Sequence, residues 1–263
     1  MFQYHGKTAL VTGASSGIGT AFVQALAARG MNVVLSGRSE EKLVTLAGAV
    51  AEQHQVQTYV LPVDLSQPDA VTKVSNQIAE WKLPIHLLVN NAGFMTHGHF
   101  EKLDPAMEQA EITVNVSSVV GLTRAFLPGM LERQEGGVIN VASVAGFQPV
   151  PYLSTYSATK AFVISFSVAL WEECRTRNVV VMGLCPGTTA TELFTRANAP
   201  EAALGRARSV NQVVATALKG LDKKRSLVVD GLKNSLLTHG PRMIPRWFAA
   251  RCAGNAVRPK RQS

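Results

Sequence analysis

Acidic side chains are missing from the last 22 residues, Arg242 to Ser263, where six basic ones stand. Upstream the balance is even: residues 1–218 carry 15 Lys/Arg against 16 Asp/Glu, and residues 219–241 carry 5 against 2. A body without a basic face or an aromatic stacking platform argues against nucleic-acid partners and makes the positive charge a property of the tail. Cysteine is scarce as well. Cys174, Cys185 and Cys252 are too few and too scattered for a disulfide framework, and they fit a reducing compartment, the cytoplasm. Apolar runs of the length a membrane span requires are lacking, so no transmembrane segment is expected. The opening MFQYHGKTALVTG lacks the basic-then-apolar build of a secretory signal. One close histidine pair, His97 and His99, has no third ligand at a recognisable spacing, so no metal is expected.

What is present is an alternation. TALVTG (8–13), MNVVLSG (31–37), VQTYVLPVD (56–64), IHLLVNNAG (85–93), GVINVAS (137–143), NVVVMGLCPG (178–187) and RSLVVDG (225–231) read as seven buried strands. Helical patterns lie between them. The first carries Phe22, Val23, Leu26 and Ala27, the second starts at a Ser39 cap, and others run near 69–82, 106–133, 152–177 and 210–220. Strands that are apolar on both faces imply a mostly parallel sheet with helices on both sides, a Rossmann-like doubly wound α/β fold. No linker divides the chain, so residues 1–240 are expected to form one domain with 241–263 as a basic amphipathic extension. In such folds ligands sit beyond the carboxyl ends of the strands. Residues 144–153 and 188–209 leave two of those ends and are candidate pocket walls.

TGASSGIG (12–19) joins the first strand to the first helix. Gly13, Gly17 and Gly19 allow a tight turn and close backbone approach, and the helix start offers free N–H groups to phosphate oxygens. Ser15, Ser16 and Ile18 complete this turn. After the second strand comes Ser-Gly-Arg-Ser, with Arg38 where an NAD site commonly has an acid. A guanidinium suits a ribose 2′-phosphate, so the sequence points to NADP(H).

With Asp64 after strand three, NNAG (90–93), Asn115, Ser143, YSATK (156–160) and PGTTAT (186–191) in this order, the chain from Lys7 to about Gly231 resembles the classical short-chain dehydrogenase/reductase family. That resemblance implies a general acid at Tyr156, an electrostatic partner and ribose ligand at Lys160, a substrate-oxygen donor at Ser143 and an anchor for a relay water at Asn115. It further implies that Asn91, Ala92 and Gly93 pass under the adenosine, that Asp64 and Leu65 border the adenine, and that Pro186, Gly187, Thr188 and Thr191 hold the nicotinamide. A homodimer or homotetramer is the family's usual assembly.

The residues give chemical reasons for the same pairing. Tyr156 and Lys160 stand i,i+4 on one helix face, and an ammonium beside a phenol is expected to pull its pKa down from about 10. Phe147, Val150, Tyr152, Leu153, Leu193 and Phe194 are candidate contacts for a hydrophobic carbonyl substrate, with Arg196, Arg206 and Arg208 as candidate anion contacts. The expected reaction is reduction of a ketone or aldehyde by NADPH. An alcohol dehydrogenase acting oxidatively and a non-catalytic dinucleotide-binding protein stay open as alternatives. Beyond Thr238 the stripe Ile244, Trp247, Phe248 and Cys252 with interspersed arginines reads either as a helix packed on the fold or a second subunit, or as a peripheral membrane contact.

Overall fold

Seven parallel strands form one sheet in the order β3-β2-β1-β4-β5-β6-β7 in the computed structural model, which describes residues 1–259. The last four residues of the basic extension lie outside the described residues. The strands are β1 (Thr8–Thr12), β2 (Asn32–Gly37), β3 (Thr58–Pro62), β4 (Leu87–Asn90), β5 (Gly136–Val141), β6 (Val179–Cys185) and β7 (Leu227–Val229). The strand order reverses between β1 and β4, as the doubly wound reading requires.

Alternation along β1 shows why its apolar run is continuous. Ala9 and Val11 face a core shared with α1 (Gly17–Ala27), α2 (Glu40–His54) and α8 (Val210–Asp222). Leu10 faces the opposite core, shared with α3 (Ala70–Glu80) and α5 (Ser118–Arg133). Every β1 residue is buried because both faces are covered.

The observed strands are shorter than expected at their carboxyl ends. IHLLVNNAG ends as a strand at Asn90 and NVVVMGLCPG at Cys185. The residues beyond leave the ladder to line a cavity. The helix expected over 106–133 is also interrupted: α4 (Pro105–Ile112) and α5 flank a π-helical turn, Thr113–Ser117, with Asn115 inside it. Ser39 precedes α2 but makes no side-chain cap bond. The full capping box lies instead at Ser209 and Gln212, before α8. Pro105–Arg133 is long and apolar enough, by length and composition, to cross a bilayer. Its apolar character comes from a sheet-facing side where Leu122 and Met130 are fully buried.

After α6 (Ser154–Cys174) and β6 come α7 (Leu193–Arg196) and, past β7, α9 (Leu232–Leu237) and α10 (Arg246–Val257). The expected stripe does not mark the packed side of α10. Ala249, Ala253, Gly254 and Val257 are buried, whereas Trp247, Phe248 and Cys252 are exposed. Small residues allow the close approach: a Cβ on Gly254 would lie 2.9 Å from Pro151 Cγ.

Candidate active site

The first glycine turn is closed from across the switch point. Gly13 has φ +63°, and a Cβ there would lie 2.9 Å from Ala92 Cα. A Cβ on Gly19 would stand 2.1 Å from the Gly13 carbonyl oxygen, so no side chain fits. Thr12 Oγ1 accepts from the N–H groups of Asn91 and Ala92, both at 3.0 Å. Asn91 Nδ2 donates back to the carbonyls of Thr12 (2.8 Å) and Gly13 (3.2 Å). The turn and the NNAG segment are therefore one interlocked unit. Thr12 had a signal in its position before the turn but was not singled out.

At the β2 and β3 ends, Arg38 is exposed and lines the cavity opposite Asp64. Partial burial works against the Asp64 charge, but hydrogen bonds from Ser66 and the positive field of Arg38 hold its pKa below the ordinary value. Ser36 Oγ, on the same rim, is buried without a hydrogen-bond partner.

Asn115 is fully buried. Its Oδ1 accepts from Phe94 N, and its Nδ2 donates to Phe94 O at 2.9 Å and Thr159 Oγ1 at 3.2 Å. The π-turn thus pins the loop after β4 to α6. Gly93 sits in this contact, where a Cβ would lie 2.9 Å from Asn115 Oδ1 and 3.4 Å from Lys160 Nζ. Asn115 does not itself line the cavity.

Ser143 leaves β5, and its Oγ accepts from Ala145 N at 3.1 Å. Tyr156 and Lys160 share a face of α6, with Lys160 Nζ 5.6 Å from the phenol ring centroid. The expectation that the lysine lowers the tyrosine pKa is corrected here. Burial pushes Tyr156 up to about 12, a hydrogen bond with Ser143 works against this, and the Glu111 carboxylate adds to it. Lys160 is itself driven down to about 8, chiefly by burial, with Glu111 opposing. Its ammonium donates to the Val141 carbonyl at 2.9 Å, and burial sets the phenol's pKa.

One cavity of about 810 Å³ joins these parts. Its lining runs from Gly13, Ser15, Ser16, Gly17 and Ile18 past Arg38, Asp64 and Leu65 to Asn91, Ala92 and Gly93. It continues through Ser143, Tyr156 and Lys160 to Pro186, Gly187, Thr188 and Thr191, and ends among Phe147, Leu193 and Phe194. Val150 and Leu153 belong to the wall, but Tyr152 does not. Tyr152 has φ +65° and turns its ring against His99, 5.1 Å between centroids. Arg208 is bound to the buried Asp230 at 2.6 Å and is not a free anion contact, whereas Arg196 lines the cavity and pairs with the exposed Glu192 at 2.5 Å. Arg206 is exposed and outside the lining. His97, inside the fold, meets the Val257 carbonyl at 2.9 Å and Glu201 at 3.7 Å.

Two groups of residues escaped the sequence reading. Ala253 and Val257 of α10 line the cavity, as do Asn234, Leu237, Thr238 and Pro241 from α9 and the following turn. The i,i+4 series Ala249, Ala253 and Val257 was the available signal. The second group is acidic. Glu111 is 0% exposed, its Oε1 lacks a partner, and burial raises its pKa to about 7. Thr96 Oγ1 contacts both Glu111 Oε2 (2.7 Å) and Glu108 Oε1, and Thr155 Oγ1 contacts Glu108 Oε2. A hydroxyl has one proton, so it cannot donate to both carboxylates, and a neutral Glu111 resolves the conflict.

The glycine turn, the Ser143–Tyr156–Lys160 corner and the order of strands coincide with a family match: the short chain dehydrogenase model covers residues 7–202. The chain belongs to the short-chain dehydrogenase family. As a member it is an oxidoreductase with the Rossmann-like fold of its relatives. It is 41% identical over 194 residues to the very-long-chain 3-oxoacyl-CoA reductase of Bos taurus, covering 72% of this chain and 61% of that enzyme. The reductase-A of Danio rerio is 38% identical over 192 residues, covering 72% of this chain and 60% of the relative. The chain thus matches about three fifths of the length of these curated relatives. Among solved structures, a short-chain dehydrogenase from Sphingobium yanoikuyae in complex with NADPH superposes with TM-score 0.81 at 30% identity over 98% of both chains. A 7beta-hydroxysteroid dehydrogenase gives TM-score 0.87 at 30% identity, covering 96% of this chain and 99% of that one.

Proposed function

We propose that this short-chain dehydrogenase reduces a ketone or aldehyde carbonyl on a large hydrophobic substrate, with NADPH as reductant. The observation that carries the reading is the single cavity. It joins a glycine turn with no room for side chains, a buried phenol and an apolar far wall of Phe147, Leu193, Phe194, Ala253 and Val257. The dinucleotide fits this chain on three counts: a turn whose Gly13 and Gly19 leave no room for a Cβ, the unpartnered Ser36 Oγ, and an exposed Arg38 that makes no hydrogen bond among the described residues. Gly13 to Gly19 would hold its pyrophosphate, Arg38 a 2′-phosphate, Asp64, Leu65 and Asn91 to Gly93 the adenosine, and Pro186 to Thr191 the nicotinamide. When bound, it supplies the hydride for the carbonyl carbon.

The chain's own part is proton delivery. The Tyr156 O–H bond breaks as its proton passes to the carbonyl oxygen, and Ser143 Oγ donates to that oxygen as charge develops. A phenol raised to about 12 stays protonated at neutral pH, which supports an acid acting in reduction over a phenolate acting in oxidation. Lys160, held by Val141 O, keeps further N–H donors for a ribose hydroxyl and a positive charge near the developing phenolate. Asn115 fixes the Gly93–Phe94 loop against α6 and so positions both partners. The relatives' names, 3-oxoacyl-CoA reductase and hydroxysteroid dehydrogenase, support large apolar oxo compounds as the substrate class. The same reading includes a homodimer or homotetramer in the cytoplasm.

The test is NADPH oxidation against long-chain 3-oxoacyl thioesters, steroid ketones and short aldehydes. Turnover with at least one of the large substrates, well above that with short aldehydes, is expected; no oxidation with any of them would overturn the reading. Arg38→Ala should weaken NADPH roughly tenfold or more and leave NADH nearly unchanged, as loss of charge-assisted hydrogen bonds implies. Equal losses in a fluorescence titration would remove Arg38 from the 2′-phosphate role.

A further inference from the structure

The surface beside the cavity mouth is unlike the rest of the molecule. Of fifteen large apolar side chains exposed among the described residues, seven fall within positions 232–248: Leu232, Leu236, Leu237, Met243, Ile244, Trp247 and Phe248. The other eight are spread over the remaining chain. Leu232 is 87% exposed, Leu236 75% and Met243 85%, values expected of side chains with nothing to pack against. Leu232 and Leu236 share a face of α9, and Trp247 meets Phe248 edge-on at 5.7 Å.

Charge selects what covers this surface. No acidic residue follows Asp230, whereas Lys233, Arg246, Arg251 and Arg258 are all exposed, and Arg251 lies over the Trp247 ring at 5.6 Å. A two-fold contact between copies would set each of these cationic faces against its own like, which costs affinity. An anionic bilayer complements the face: apolar groups enter the headgroup boundary, tryptophan favours that depth, and the arginines meet lipid phosphates.

We propose that α9, the turn after it and the first half of α10 form a docking surface for anionic lipid bilayers. The buried side of the same segment is part of the cavity. Asn234, Leu237, Thr238 and Pro241 line it, as do Ala253 and Val257, and Leu237 is also 72% exposed. Docking therefore sets the cavity rim against the bilayer, and an apolar substrate passes between them without crossing water. This entry route rests on the proposed carbonyl reduction; the docking does not.

Flotation of the full chain with vesicles tests it. Binding is expected to vesicles of phosphatidylcholine with about one third phosphatidylserine, weaker binding to phosphatidylcholine alone, and a loss of at least fivefold in the double variant Leu236→Glu/Trp247→Glu. Neither residue lines the cavity, and unchanged NADPH affinity of the variant reports that it is folded. If that variant does not fold, Lys233→Glu/Arg246→Glu, which leaves every apolar group in place, should lose binding to the anionic vesicles. No flotation of the wild-type chain, or equal flotation of the folded variant, overturns the docking. A change of oligomer mass in the variant with no lipid binding by the wild type assigns the surface to a second copy. Flotation by a chain without carbonyl turnover leaves docking standing and removes only the entry route.

Discussion

At the dinucleotide end of the cavity, backbone sets the shape; at the substrate end, side chains from four distant segments do. Gly13, Gly19 and the Thr12–Asn91 bonds build the first from short pieces at neighbouring strand ends. The second draws on Phe147 after β5, Leu193 and Phe194 of α7, Leu237 of α9, and Ala253 and Val257 of α10. Gly13 and Gly19 tolerate no side chain, because a Cβ at either meets main-chain atoms at 2.9 Å or less. A wall of side chains can change in size while the strands beneath it stay put.

Substitutions can break that contrast. The largest effect is expected from Gly19→Val, whose Cβ would meet the Gly13 carbonyl oxygen. NADPH affinity should fall by roughly a hundredfold or more, read by fluorescence titration; unchanged affinity would mean that the turn is not the phosphate cradle. Ala253→Phe probes the other end. Crowding the wall from α10 should raise KM for an apolar substrate by about tenfold, the scale of an overpacking penalty, with NADPH affinity intact.

Glu111→Gln should give the smallest and most informative change, because this carboxyl does not line the cavity and acts on Tyr156 and Lys160 through its charge. The folded chain holds its proton more tightly than the unfolded chain. The stability this contributes is full below the ordinary value of 4.5 and is lost as pH rises through about 7. The glutamine variant should therefore gain on the wild type between pH 5 and pH 8 in urea unfolding, by about 1–3 kcal/mol. The Glu111 charge also raises the Lys160 pKa, so its loss should move any alkaline fall of the reductive rate set by Lys160 to lower pH. A pH–rate profile of unchanged position would make Glu111 a packing residue only.

The same contrast decides what could be read from the sequence. Buried strands and the TGASSGIG turn are local patterns, so which segments form them was legible before any coordinates, whereas the spatial order of the strands was not. Strand ends were not legible either, because Asn91 leaves the ladder to bond the glycine turn and Ser143 turns back to cap the N–H of Ala145. The stripe in the tail left two readings open, a packed helix or a membrane contact, and only the folded chain shows that its large side chains face outward. The packed side of α10 is the series Ala249, Ala253, Gly254 and Val257, with Gly254 so close to Pro151 that a Cβ would stand 2.9 Å from its Cγ. The raised Tyr156 pKa was hidden for a different reason. Spacing puts a cation near the phenol, but only the folded chain shows how deeply both are buried and that Val141 O holds the ammonium.

Proton donation by Tyr156 is the claim on which the proposed chemistry turns, and Tyr156→Phe removes one hydroxyl without disturbing the ring's packing. Reductive turnover and NADPH affinity should be measured side by side on this variant. A fall in kcat of about 10²- to 10⁴-fold with NADPH affinity preserved is the predicted result. Turnover near the wild-type rate would contradict it, since the carbonyl oxygen would then take its proton from another group.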